Sequence, residues 1–385
     1  MTSPSRRLVA ALVPLALLAS ACGSSSDDAA TDTTSTDTSS TDTSSTDTTD
    51  ASATDATGDT SDDADSESAD SGSAVDADLA SLFDDGALTA DAVVVVDCTL
   101  ENGTETTCYQ LEVSSLADTV DTDGPYCPET VDDEEYGIWV WDGDDPGLYA
   151  LDADFWAMMA DQGFDFVDAD GNISITDPAA GAATSAGTAN SCLEATADGS
   201  FHIQVLLPTT PELLDTPTDL STISQIGLAL DGVTIFGDAP SVADRGGLPA
   251  LDACGGHIDP SGYYHWHFGA ESIQSNLDEA GADVTCDVEQ DVEALIAFAF
   301  DGYAIYGPEE DREIPSDLDE CSGHVSDTDE FGEVYHYHLT YDSPNLPSCR
   351  VGASAVGTLS SPDNADATLP SGDGPDAGGP PPGNG

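Results

Sequence analysis

The sequence predicts a mainly β domain stapled by disulfides, and three observations predict it. Its apolar runs are short, rich in branched and aromatic residues, and cut by Gly, Pro or Asp. Val93 to Val96, Ile138 to Trp141, Phe201 to Leu206 and Ala294 to Phe300 all read as strands. Gly and Pro recur at short intervals, as in sandwiches and barrels. An even set of cysteines remains once Cys22, beside the apolar leader, is set aside: Cys98, Cys108, Cys127, Cys192, Cys254, Cys286, Cys321 and Cys349. In an exported chain that reads as a disulfide framework. One stretch reads as helix, Asp154 to Gln162, with Asp154 as its N-cap and Gly163 beyond its end.

Export is read from the start of the chain. Arg6 and Arg7 precede an apolar run from Leu8 to Leu18, followed by Ala19-Ser20-Ala21-Cys22. A basic region, a short apolar region and small residues before a cut describe a secretory signal, here residues 1–21. The run is shorter than the roughly 20 apolar residues a spanning helix needs. Cys after small residues looks like a lipobox, which makes Cys22 the diacylated residue and a lipid the membrane anchor. Residues 22–78 collapse to Ser, Thr, Asp, Ala and Gly, too poor in apolar surface to offset chain entropy, and read as a disordered acidic tether. Residues 360–385 read as a disordered Pro/Gly tail. Residues 79–359 between them suit one large domain.

The chain has 76 acids against five Arg and no Lys, a formal charge of −71. That excludes the basic patches by which proteins hold nucleic acid. It describes a heavily hydrated surface that attracts cations.

Six of the seven histidines fall in two clusters. Cys254-Gly255-Gly256-His257 is followed by Tyr264-His265-Trp266-His267. Cys321-Ser322-Gly323-His324 is followed by Tyr335-His336-Tyr337-His338. Each cluster follows an Asp-Gly-x-x-Ile-aromatic-Gly segment, at Asp231 and at Asp301. Order, residue type and spacing agree, so the domain reads as an internal pseudo-twofold repeat with halves at about 226–286 and 295–352; two copies are too few for a solenoid, which needs about three. The repeat favours Cys254 with Cys286 and Cys321 with Cys349; Cys98 with Cys108 would close a hairpin, leaving Cys127 with Cys192. The competing reading makes Cys254 and Cys321 metal thiolates through Cys-x-x-His.

These paired segments resemble the YHYH domain family of exported proteins. The second cluster carries the naming motif intact at Tyr335 to His338; the first has Trp266 in the third place. The resemblance implies family membership and carries over no catalytic residue.

The chemistry must be read from the histidines themselves. Positions two apart on a strand share a face, so His265 and His267 point together, as do His336 and His338. His257 and His324 each supply a third imidazole. Three imidazoles with an open position suit zinc or copper, and all six converging would make one shared or binuclear centre. Asp231 and Asp301, in hairpin turns, could orient histidine ligands. A weaker candidate is a calcium loop at Asp168, Asp170, Asn172 and Asp177. Three functions follow: metal binding by a surface-tethered lipoprotein, a metal-dependent hydrolase or oxidase at the same histidines, or a carbohydrate- or protein-binding module using Trp139, Trp141 and Trp266 as contacts. The anchor is tested directly. Cys22→Ser should release the protein from the membrane fraction; retention at the wild-type level removes the lipoprotein reading.

Overall fold

The computed structural model describes residues 79–361, apart from short breaks at 90–92, 121–123, 125, 134–135, 142, 181–189, 221–224, 238–241, 243–245, 287, 289–290, 292–293, 309–313 and 342–344. All lie in the unit Ser66–Gly385. The leader, Cys22, the tether and the tail beyond residue 361 lie outside the described residues.

The fold is mainly β, built on an eight-stranded sheet. In chain order its strands are β1 (Gln225–Ala229), β2 (Thr234–Phe236), β3 (Gly256–Ile258), β4 (Tyr264–Trp266), β5 (Leu295–Ala299), β6 (Ala304–Tyr306), β7 (Gly323–Thr328) and β8 (Gly332–His338). Their spatial order is β3-β4-β2-β1-β5-β6-β8-β7. β1 and β5 lie side by side at the centre, antiparallel, with Phe298 opposite Leu228. Every residue of both is buried, so each reads as a continuous apolar run. Each begins a hairpin, β1–β2 and β5–β6. The Asp-Gly pairs make both turns: Gly232 and Gly302 take φ of +88° and +90°, which glycine adopts without strain. Outward from the hairpins, β4 pairs parallel with β2 and β8 pairs parallel with β6. β3 and β7 close the two edges.

Each face of this sheet is covered. On one side Leu228, Phe236, Phe298 and Phe300 pack with Leu111, Val113, Ile203 and Val205. Those last four come from Glu105–Ser114 and His202–Pro208, which form a four-stranded sheet with Val94–Thr99 and Leu359–Ser360. On the other side Ile235, Ala297, Ile305 and Trp266 share a core with Phe155, Trp156, Met159, Ile273 and Leu277.

The last five belong to two helices. α1 (Ala153–Gln162) begins one residue earlier than its sequence suggests, because Asp152 rather than Asp154 is the N-cap and accepts from the N–H of Phe155 at 2.9 Å. Gly163 closes it at φ +93°. α2 (Ala270–Ala280) is not anticipated by the strand-and-turn reading. Its signal is present in the apolar pair Ile273 and Leu277, four apart and both buried, and in Gly281 at the C-terminal end.

Four disulfides link Cys98 to Cys108, Cys127 to Cys192, Cys254 to Cys286 and Cys321 to Cys349; the last two are the pairs that the repeat favours, and the first two agree with the remaining expectation. Cys254 and Cys321 are thus corrected as metal ligands, since a disulfide sulfur is not a thiolate. The last two bridges close loops with sequence separations of 32 and 28 residues. Chain entropy alone assigns each about 3–4 kcal/mol of stabilisation. Alkylation of the denatured, unreduced mature domain should label none of these eight cysteines. Two labelled thiols at Cys254 and Cys321 would restore the thiolate reading.

Candidate metal centres

Each histidine cluster is built on a turn that one carboxylate holds. Asp252 Oδ1 accepts from the backbone N–H groups of Cys254 and Gly256 at 2.8 and 2.9 Å. Asp319 Oδ1 does the same for Cys321 and Gly323 at 2.9 and 3.1 Å. The other oxygen takes a phenol: Tyr264 Oη donates to Asp252 Oδ2 at 2.5 Å, and Tyr335 Oη to Asp319 Oδ2 at 3.0 Å. The phenol lies directly over the glycine that precedes His257 or His324, where a Cβ would collide with it. The residue before that glycine must adopt positive φ. Gly255 does so freely at +83°, whereas Ser322 does so at +63°, an uncommon conformation for a residue with a Cβ. The Leu-Asp-x-Cys-x-Gly-His segment and the tyrosine that opens each later motif are therefore one clamp.

The strand pleat does the rest. His257 lies opposite His265, and His324 opposite His336. His267 and His338 follow two residues on, on the same face. In the first centre the three Nε2 atoms form a triangle with every edge 3.2 Å. An ion at the usual zinc–imidazole distance of about 2.0–2.1 Å would sit about 0.9 Å off that plane, with near-tetrahedral angles. In the second centre the Nε2 atoms of His324 and His336 are 3.1 Å apart. There one ligand atom from each of His324, His336 and His338 lies within 4.8 Å of the others. Either triad can hold a metal ion. The two do not form one centre: four strands separate β4 from β8, about 24 Å at ordinary strand spacing. The shared or binuclear site expected from the sequence is thereby corrected to two separate three-histidine sites.

The outer nitrogens fix how the rings are protonated. His267 Nδ1 donates to the carbonyl of Gly237 at 2.5 Å, and His338 Nδ1 to that of Gly307 at 2.9 Å. His336 Nδ1 donates to the carbonyl of Val334, and His324 Nδ1 to Asp317 Oδ1, both at 3.0 Å. A carbonyl or carboxylate only accepts, so each of these Nδ1 atoms carries a proton, and in its neutral form such a ring presents its lone pair at Nε2. In the second centre all three rings are set this way, and the buried Nε2 of His338 has no hydrogen-bond partner among the described residues.

Burial favours the neutral ring at His257, His265, His267, His336 and His338. It pushes His267 and His336 down to about 4, the carbonyls of Gly237 and Val334 pulling weakly the other way. Burial, then the neighbouring imidazoles, holds His257 and His265 well below the usual range, and burial lowers His338. Clustered lone pairs on rings that resist protonation could hold a cation.

Other sequence candidates fall elsewhere. Neither hairpin aspartate touches a histidine: Asp231 Oδ1 accepts from Val233 N–H, and Asp301 Oδ2 accepts from Tyr337 Oη and Gly352 N–H. The backbone carbonyls of Gly237 and Gly307, invisible in a search for acidic side chains, take the orienting role. The candidate calcium loop is a tight turn, in which Asp168 Oδ1 accepts from the N–H groups of Asp170 and Asn172 and Oδ2 from Asn172 Nδ2. Trp139, Trp141 and Trp266 are 4%, 1% and 0% exposed, so they are core residues and not surface contacts. His202 lies on a different sheet, opposite Ser114. The clamp carries a stability prediction. Gly323→Ala should cost about 1–3 kcal/mol, the usual range for overpacking, read as a lowered thermal midpoint; an unchanged midpoint would mean that the phenol does not cover this residue.

The family model described as YHYH protein matches residues 204–315. That span holds β1 to β6 and the first triad; His324, His336 and His338 lie beyond it. No curated protein and no solved structure matches the chain. The paired motifs and the matched span point to the same family, to which residues 204–315 are similar.

Proposed function

We propose that this is an exported, lipid-anchored protein whose domain binds two transition-metal ions, zinc or copper, one at each histidine triad, and serves in metal binding or handling. The observation that carries the reading is the 3.2 Å triangle of imidazole nitrogens at His257, His265 and His267. With the His267 proton held at Nδ1, a hydrogen on Nε2 of His257 or His265 bridges single edges of that triangle, whereas a cation among the three nitrogens satisfies all three lone pairs at once. The two triads are read as equivalent sites of an internal pseudo-twofold repeat. Supporting this are the nested strand order and the matching registers of His257 with His265 and His324 with His336. The anchor at Cys22 and the tether 22–78 would hold the domain on the outer side of the membrane, and the acidity of the chain would gather cations around it.

A second reading, a metal-dependent hydrolase or oxidase, is favoured by one feature. Three protein nitrogens leave one position of a tetrahedral ion for water or substrate. Both triads lie against an edge strand of the sheet, which carries His257 in one and His324 in the other.

Metal analysis of the mature protein, prepared without an affinity tag of histidines, should find two ions per chain. His336→Ala/His338→Ala should leave one, because the sites are separate. Protons compete with the metal only where the imidazoles titrate. Those of His267 and His336 are pushed down to about 4. Occupancy of the first site, whose three rings are all pushed down, should therefore hold as pH falls through 6.5, the ordinary histidine value, and drop only on approach to 4. Protein that takes up neither zinc nor copper at neutral pH ends this reading.

A further inference from the structure

The two triads differ at one position, and the difference bears on what each can do. Two residues beyond His324 on β7, on the same face, stands Ser326. Its Oγ lies 3.2 Å from His324 Nε2 and 3.5 Å from His336 Nε2. The matching position beyond His257 is Asp259, whose Oδ1 is turned to the backbone N–H of Ser261 at 2.6 Å.

We infer that Ser326 is the fourth protein ligand of the second centre, which binds its ion as three histidine nitrogens and one hydroxyl oxygen. This rests on the metal reading above. The spacing is the first argument. Donors on a tetrahedral ion with bonds of about 2.0–2.1 Å stand about 3.3–3.4 Å apart. Ser326 Oγ holds about that separation from two of the three nitrogens, as a fourth donor would.

Counting protons is the second argument. Asp317, Val334 and Gly307 take the Nδ1 protons of His324, His336 and His338. Three nitrogen lone pairs and one hydroxyl oxygen then face each other with a single hydrogen, that of Ser326. It can serve only one nitrogen, and His338 Nε2 is left buried without a partner. A cation would satisfy all four donors at once. The charge balance agrees, since the Asp317 carboxylate lies against His324 on the outer side at 3.0 Å. A nitrogen-and-oxygen set of four suits zinc or cobalt better than a thiolate-seeking ion. Closed in this way, the second centre holds its ion with no position left for water.

Cobalt(II), a spectroscopic stand-in for zinc, tests this in the full mature chain. His257→Ala is the parent, chosen to silence the first centre at its least buried ligand. The parent should show the visible absorption of tetrahedral cobalt, and added azide should leave it unchanged. In Ser326→Ala on that parent, water takes the vacated place. Cobalt should then bind at least about tenfold more weakly, the lower end of the loss for a group that supports a metal site, and azide should shift the spectrum. Ser326→Cys should replace the oxygen by a thiolate and add a near-ultraviolet charge-transfer band. Azide shifting the parent as strongly as Ser326→Ala overturns the proposal, as does folded Ser326→Cys with bound cobalt and no charge-transfer band. A folded parent without any cobalt absorption overturns the metal reading itself, and the two failures are thereby told apart.

Discussion

The hydrogen bond on which the domain turns runs from the last histidine of each cluster to the glycine carbonyl that ends the preceding hairpin: His267 to Gly237, and His338 to Gly307. It joins two sequence segments about 30 residues apart into one structure. The hairpin strand delivers the carbonyl, and the parallel strand beside it delivers the ring. With its Nδ1 proton committed, the ring has one orientation and offers one nitrogen. Carbonyl and carboxylate partners of this kind orient metal-ligating histidines in general. The Asp-Gly-x-x-Ile-aromatic-Gly segment and the His-x-His segment are therefore two parts of one device. Either alone would leave an imidazole free to turn.

The opposite face of each His-x-His strand is anchored differently in the two halves. Tyr337 Oη donates to Asp301 Oδ2 at 2.6 Å and accepts from the N–H of Val351 at 2.8 Å. Burial raises Asp301, and the Arg350 guanidinium opposes this. Arg350 is itself 2% exposed and holds both oxygens of Glu101 through Nη2, at 3.1 and 3.0 Å. A charge buried so completely is tolerated because it is paired and hydrogen-bonded; losing one partner of such a network costs about 3–5 kcal/mol. In the first half Trp266 replaces the tyrosine and donates from Nε1 to Tyr264 Oη at 3.0 Å, inside its own clamp. The Tyr-to-Trp change is thus a change of partner on the back face, while the histidines on the front keep their geometry.

Much of this was legible because it depends on local spacing. Alternation along a strand put His265 with His267 and His336 with His338, and the repeated order of cysteines picked out two disulfides. What stayed hidden depends on strand order. Nothing in the spacing says that β1 and β5 meet at the centre, and that meeting drives the two triads apart instead of together. Trp139 and Trp141 looked like contacts for the same reason: a residue type does not reveal which face of a strand is covered. α2 gives only a faint signal, because Ile273 and Leu277 stand among polar residues without a side-chain cap, although their spacing and Gly281 mark a helix. Ser326 carries no signal as a lone serine on a strand until its distance to the imidazoles is known.

The position of the centres also answers a structural need. β3 and β7 are the outer strands of the sheet, and an outer strand is held by neighbours on one side only. β3 has three residues, too few for its ladder alone to hold it firmly. Each of these strands starts just after a disulfide, at Cys254 or Cys321, and next to the aspartate clamp. Each then places one histidine against two from the next strand inward. An ion bound there would fasten the edge to the sheet at its midpoint, with the disulfide fastening its start. On this view metal binding and edge stability are one problem: what makes three imidazoles converge is what keeps the strand in place, and removing the ion would loosen first the strand that carries the partly buried ligand.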